Sequence, residues 1–206
     1  MTVVNEIANI IKAGIHQKGY ATLIVSGGSS LLKIFAELTK VTLDWDKVTI
    51  SLVDDRLVSE QSLDSNELLI KSKLIINKAK AARFIPLNKS NLKQIFNLLP
   101  FDLIVLGMGS DGHFASIFPD MLKQKEFVSL NAKPAIYNVS SRGTPYVPRI
   151  TMNLALILRS QNIFLVVSDD RKKAILDRAQ IDEKYPVHFL VNQKKILVRV
   201  IEPYEE

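Results

Sequence analysis

The stretch FDLIVLGMGSDGH, residues 101–113, joins an apolar run to a glycine-rich turn that ends in a histidine. Its run Phe101–Leu106 is too short for a helix and has no polar alternation. It therefore reads as a strand buried on both faces, as in a parallel sheet covered by helices. Three other short, mainly apolar runs read alike. Ala21–Val25 leads into SGGSS, Val48–Val53 into Asp54-Asp55-Arg56, and Ile163–Val167 into Asp169. Helical periodicity fills the gaps, over about residues 3–17, 31–39, 65–80, 90–99, 152–159 and 169–179. Shorter strands are expected at Phe84–Leu87, His188–Val191 and Ile196–Ile201, with a less regular stretch over about 120–148.

Strands alternating with helices predict an α/β fold with a mostly parallel sheet flanked by helices, Rossmann-like in kind. With 206 residues, no Pro/Gly/Ser-rich linker and no internal repeat, residues 1–206 read as a single domain. The polar clusters SGGSS, DDR and GMGSDGH all fall just beyond strand carboxyl ends, where open α/β sheets bind ligands.

Composition narrows the chemistry. Hydrophobic residues make up 47% and charged residues 23%, which is ordinary for a globular chain and excludes a disordered or fibrous one. Cysteine is absent, so disulfides, thiolate nucleophiles and cysteine-ligated metal centres are excluded together. The net charge of +6 admits nucleic acid, an anionic surface or a small acidic substrate. The densest basic stretch, Lys71 to Arg83, places its cations opposite an apolar stripe and interleaves no aromatic residues among them, so a nucleic-acid partner is not expected. The N-terminus carries Glu6 and Lys12 within its apolar pattern and reads as an amphipathic helix rather than a signal peptide. No apolar run approaches 18 residues, so no membrane span is expected and the cytoplasm is the default location.

Each motif admits a plain structural reading beside a functional one. Gly107–Gly112 has the form G-x-G-x-x-G, but no second strand ending in an acid lies about 20 residues on, as a dinucleotide site requires. Its other reading is a functional loop that presents His113. Imidazole titrates near neutrality, and Asp111 two residues earlier is placed to orient it. SGGSS is either a tight turn with a serine cap or an anion loop. Asp54-Asp55-Arg56 is either a surface turn or part of a sugar-phosphate site, with the guanidinium as clamp. No histidine is near in sequence, so a metal is not expected there. Arg142 and Arg149, in a proline-containing segment, and the adjacent Lys172-Lys173 are further candidate anion contacts, with a solvated face as the plain reading of the lysines.

Taken together, these residues resemble the 6-phosphogluconolactonase family, within the broader glucosamine-6-phosphate isomerase/6-phosphogluconolactonase superfamily. The resemblance runs from about Ala21 to Val191. FDLIVLGMGSDGHFASIFPD is its most specific block, close to the family's LGMGxDGHTASLFP and departing at Phe114 and Ile117. VDDRLVSEQSLDSN is similar to DERxVP…SN with Asp55 in place of Glu, SGGSS to SGGSTP without Thr-Pro, and PRITMNLALI to RITLTLPAL. The resemblance implies that His113 is the general base, supported by Asp111. It also implies that Arg56 and Arg149 contact the substrate or its phosphate, and that Gly27, Gly28 and Ser29 form a loop around the sugar. Asp54, Gly109, Arg142 and Lys173 complete the expected substrate side.

The chemistry this resemblance implies is hydrolysis of a small phosphosugar lactone with no metal or organic cofactor. His113 deprotonates the attacking water, and loop N–H groups or a cation meet the oxyanion. The superfamily's deaminase branch carries GHIGFNEP, whose Glu falls at Phe118 here, a side chain that cannot ionise. An aminosugar-phosphate isomerase/deaminase is therefore the runner-up, beside a non-catalytic sugar-phosphate sensor. Oligomeric state has no signature in the sequence.

Overall fold

The computed structural model describes residues 2–202. In chain order its strands are β1 (Ala21–Val25), β2 (Val48–Leu52), β3 (Asp54–Arg56), β4 (Arg83–Phe84), β5 (Leu103–Gly107), β6 (Ile136–Arg142), β7 (Val147–Met152), β8 (Ile163–Val166) and β9 (Val198–Ile201). The α-helices are α1 (Val3–Lys18), α2 (Leu32–Leu38), α3 (Asn66–Lys73), α4 (Leu92–Phe96), α5 (Lys125–Val128), α6 (Leu154–Ile157), α7 (Asp170–Ala179) and α8 (Pro186–Val191). β1 is buried along its whole length, and so is β8, as their mainly apolar runs imply; the one polar side chain among them, Thr22, is paired with Asp102. They belong to a six-stranded, wholly parallel sheet in the order β4-β2-β1-β5-β8-β9.

Counted within that sheet, the order is that of a doubly wound dinucleotide-type fold, with the reversal between β1 and β5. The strand pair β1/β5 thus opens a crevice at its carboxyl end, between the loops that carry SGGSS and GMGSDGH. α/β architecture with a parallel sheet is as the sequence predicts.

A second sheet, β3-β7-β6, is antiparallel and has no counterpart among the sequence expectations. Val53 links the two. Its N–H donates to Val25 O at 3.0 Å on β1, and its C=O accepts from Met152 N–H at 2.8 Å on β7. The chain therefore leaves the parallel sheet at Val53 and enters the other sheet at Asp54. The buried side chains of both sheets and the covering helices form one continuous cluster.

Several local expectations are corrected. Asp54-Asp55-Arg56 is a strand rather than a turn. The expected helix over 65–80 ends at Lys73; Ile76 is extended and Asn77 takes φ +51°, so a separate 3-10 turn, Asn77–Ala81, succeeds it. The strand expected at Phe84–Leu87 is confined to Arg83–Phe84, with Ile85 N–H still donating to Ile50 O of β2 at 2.9 Å. The irregular stretch over 120–148 contains β6, and the helix expected from Met152 is only α6, because residues up to Met152 pair in β7. His188–Val191 is helical: Pro186 opens α8, and Val187 and Leu190, three apart, face the core. The lysines between Lys71 and Lys80 are exposed, as their position opposite the apolar stripe implies.

Candidate active site

The loop after β5 does not run into a helix. It folds back on itself through bridges between Met108 and Phe114 and between Phe114 and Ile117. Gly109 N–H donates to His113 O at 2.9 Å, and Gly112, at φ +79°, turns the chain. A pyrophosphate needs a helix N-terminus behind its glycine loop; without one, the dinucleotide reading of Gly107–Gly112 falls. Inside this turn the Asp111 carboxylate accepts from the His113 backbone N–H at 3.1 Å and meets the ring Nδ1 at 2.5 Å. The imidazole therefore donates from Nδ1 and keeps Nε2 as its basic nitrogen. Burial pushes the Asp111 carboxyl up, but the hydrogen bond and charge of His113 outweigh it and hold the group below the ordinary aspartate value.

Gly109 is required by close approach rather than by φ. A Cβ there would lie 2.2 Å from the His113 ring and 2.7 Å from the Asp111 carboxylate. The far side of the loop is tied to the second sheet by Ser116. Its Oγ donates to Asp54 Oδ2 at 2.5 Å, and its N–H donates to Thr151 Oγ1 at 3.1 Å.

Across the cleft stand the cations. β3 and β7 pair with Arg56 opposite Arg149, so two guanidinium groups share one end of the site. Arg149 is 3% exposed and donates only to carbonyls, Arg142 O at 2.9 Å and Pro145 O at 3.0 Å. Burial, and then the neighbouring Arg56 charge, draw its pKa below the usual arginine value. Arg56 donates to Asp64 O at 2.7 Å, while its buried Nε has no partner among the described residues. Asp55 does not face the cleft. It accepts backbone N–H groups from Arg56, Asn66 and Glu67 at 2.7–3.0 Å and so ties β3 to the start of α3. Burial nonetheless pushes its carboxyl up to about 6, those three hydrogen bonds opposing the rise only in part.

These parts enclose a cleft of about 220 Å³, below the roughly 300–1,000 Å³ typical of drug-sized ligands and cofactors. Of the expected residues, Gly27, Gly28, Ser29, Asp54, Arg56, Gly109, His113 and Arg149 line it. Asp111 acts from behind the imidazole. Two expectations are corrected. Lys173 reaches Glu202 at 2.7 Å and Asp170 at 3.7 Å, away from the cleft, because it sits one residue round the helix from the inward position. Arg142 turns its side chain to Asp120 at 2.8 Å and to Ser140, and only its backbone carbonyl serves the site, through Arg149.

The inward position belongs to Lys172, whose Nζ donates to Ser30 Oγ at 2.9 Å and Ser168 Oγ at 3.1 Å, its nearest carboxylate lying 3.9 Å away on Asp169. Asn66 is a second addition. It donates to Asp54 O at 3.0 Å, and it fits only because Gly27 has no Cβ, which would lie 2.0 Å from its Oδ1. Asp169 as N-cap fixes Lys172 at the third helical position, a signal present in the sequence; Asn66 is the Asn of the SN pair that closes VDDRLVSEQSLDSN, just after the capping Ser65. Among the described residues there is no cluster of three or more His, Asp or Glu side chains suited to a metal ion, and no helix is long and apolar enough to cross a membrane.

Residues 1–198 match the family model described as glucosamine-6-phosphate isomerases/6-phosphogluconolactonase. The chain belongs to this family. Among its relatives is a 6-phosphogluconolactonase of Neisseria meningitidis, 32% identical over 95% of this chain and 90% of that protein. Another, from Mesorhizobium japonicum, is 35% identical over 87% of this chain and 79% of that protein. A crystal structure of a 6-phosphogluconolactonase from Shewanella baltica superposes with a TM-score of 0.84 at 31% identity, covering 96% of this chain and 90% of that one. The lactonase-type α/β fold is thus shared across nearly the whole length, parallel sheet included.

Proposed function

We propose that the protein hydrolyses 6-phospho-D-glucono-1,5-lactone to 6-phosphogluconate, as a single-domain enzyme of the pentose phosphate pathway working in the cytoplasm. The observation that carries the reading is the Asp111–His113 pair at 2.5 Å, set opposite cations that are bonded almost wholly to neutral groups. A δ-lactone is an activated cyclic ester, so its opening needs a base, a water and charge stabilisation but no covalent nucleophile. His113 Nε2 takes a proton from water as the oxygen attacks C1. The tetrahedral oxyanion is stabilised by a cleft cation or loop N–H groups. Collapse breaks the bond from C1 to the ring oxygen, and the imidazolium returns its proton to that leaving oxygen. General-base catalysis of this kind contributes roughly 10²–10⁴-fold.

Lys172, the Gly28–Ser30 loop and Arg149 are the groups we assign to the phosphate. Lys173 and Arg142 already have carboxylate partners and are spent. The non-ionisable Phe118 stands where the deaminase branch has Glu, which favours lactone over aminosugar chemistry. The test is proton release from the lactone above its spontaneous rate, beside ammonia release from glucosamine 6-phosphate. Acid without ammonia supports the reading; ammonia, or phosphosugar binding without turnover, replaces it with the deaminase or the sensor.

A further inference from the structure

The Asp111 bond leaves one freedom of the catalytic imidazole open. A hydrogen bond along Nδ1 fixes the ring's edge but not its rotation about that axis, and Nε2 swings with any such rotation. The face of the ring lies against Phe118, with centroids 4.5 Å apart and planes tilted by 31°. Phe118 is itself held on other sides. It is 5% exposed, its N–H meets Met121 Sδ at 3.4 Å, and the Arg149 guanidinium carbon sits 5.3 Å from its ring centre. Gly143, in the turn between β6 and β7 at φ +67°, approaches so closely that a Cβ would lie 2.8 Å from Phe118 Cζ and 3.0 Å from Arg149 Nη2.

We propose that Phe118 is a positioning residue for the reaction, fixing the rotation of the His113 imidazole and seating it against the hairpin that carries Arg149. Phe118 does not touch the reacting atoms. It determines where Nε2 points, and it does so with a ring that is wedged between the base and the second sheet. Gly109 completes the seat by leaving room at the Nδ1–Cε1 edge, so edge, face and clearance each come from a different residue.

This inference rests on the lactonase reading. Phe118→Leu keeps an apolar side chain but removes the flat face, and misplacing a catalytic group by about 1 Å costs on the order of 100-fold in rate. The expected result is a kcat reduced about 10- to 100-fold, with the Kd for 6-phosphogluconate, read by calorimetry, within about 3-fold of wild type. In the NMR spectrum, the His113 ring protons, identified by their loss in His113→Ala, should lose the upfield shift imposed by the Phe118 ring. Phe118→Met, closer in volume, gives the same pair of readouts if the Leu variant does not fold. A wild type with no rate above spontaneous hydrolysis overturns both the reading and the inference. An active wild type whose variants keep kcat, or lose it with the His113 ring signals unmoved, overturns the inference alone.

Discussion

The two sides of the cleft are built by different physics. The base side rises from β5, in the middle of a parallel sheet, on a turn closed by its own backbone and by Asp111. The cation side is assembled from β3 and β7, strands that are some ninety residues apart in sequence and meet only through long-range antiparallel pairing. One side is local and the other is not. The base therefore depends on the glycines and the acid of its own loop, whereas the arginines depend on Val53 and Ser116, which join the sheets. Under the proposed function, the local turn sets orientation, and so rate, while the pair of distant strands sets charge, and so binding.

That contrast can be broken most sharply at Gly109. Gly109→Ala places a methyl 2.2 Å from the imidazole and should reduce kcat on the order of 100-fold or more, with product affinity little changed. A comparable loss of affinity would show that the sides are not separable. Among the cations, Arg149→Met on β7 and Lys172→Met on α7 should each raise KM by about 10- to 100-fold, the worth of a charge-assisted hydrogen bond, in steady-state kinetics. Their neighbours are the control: Lys173→Met and Arg142→Met remove exposed or half-buried ion pairs and should change KM by about 2-fold or less.

A different observable, stability rather than turnover, reports on the junction itself. Because the folded state raises the Asp55 pKa to about 6, it binds the proton more tightly than the unfolded chain, whose carboxyl titrates near 3.9. Its ionisation therefore costs stability as pH rises from about 4 to about 6. Relative to Asp55→Asn, the wild type should lose up to about 3 kcal/mol across that window in urea titrations. A difference that is flat with pH, or that runs the other way, would refute this.

The same division explains what can be read from the chain. β1, β2, β5 and β8 are legible because strands covered on both faces leave short, mainly apolar runs, and the turns after them have to be polar. His113 and Asp111 are marked by position alone. β3 has three residues, and β6 is mostly half-buried, so neither leaves a pattern; their pairing with β7 has no local signature. Lys172 and Lys173 are adjacent lysines that differ only in which way the helix turns them, and only the capping Asp169 tells the inward one apart. Arg142 and Arg149 look alike in sequence, and only Asp120 and the two carbonyls tell them apart. α8 resembles a strand because four apolar residues fit either period until the preceding proline is weighed.

In the proposed chemistry His113, oriented by Asp111, is the base that opens a phosphosugar lactone. Its role is tested most directly by proton release from 6-phosphoglucono-1,5-lactone in a pH-stat, with wild type and His113→Ala side by side. The expected result is a wild-type rate well above spontaneous hydrolysis and a variant that falls toward it, a loss of roughly 10²–10⁴-fold with the fold intact. A folded His113→Ala variant that hydrolyses the lactone at the wild-type rate would contradict it.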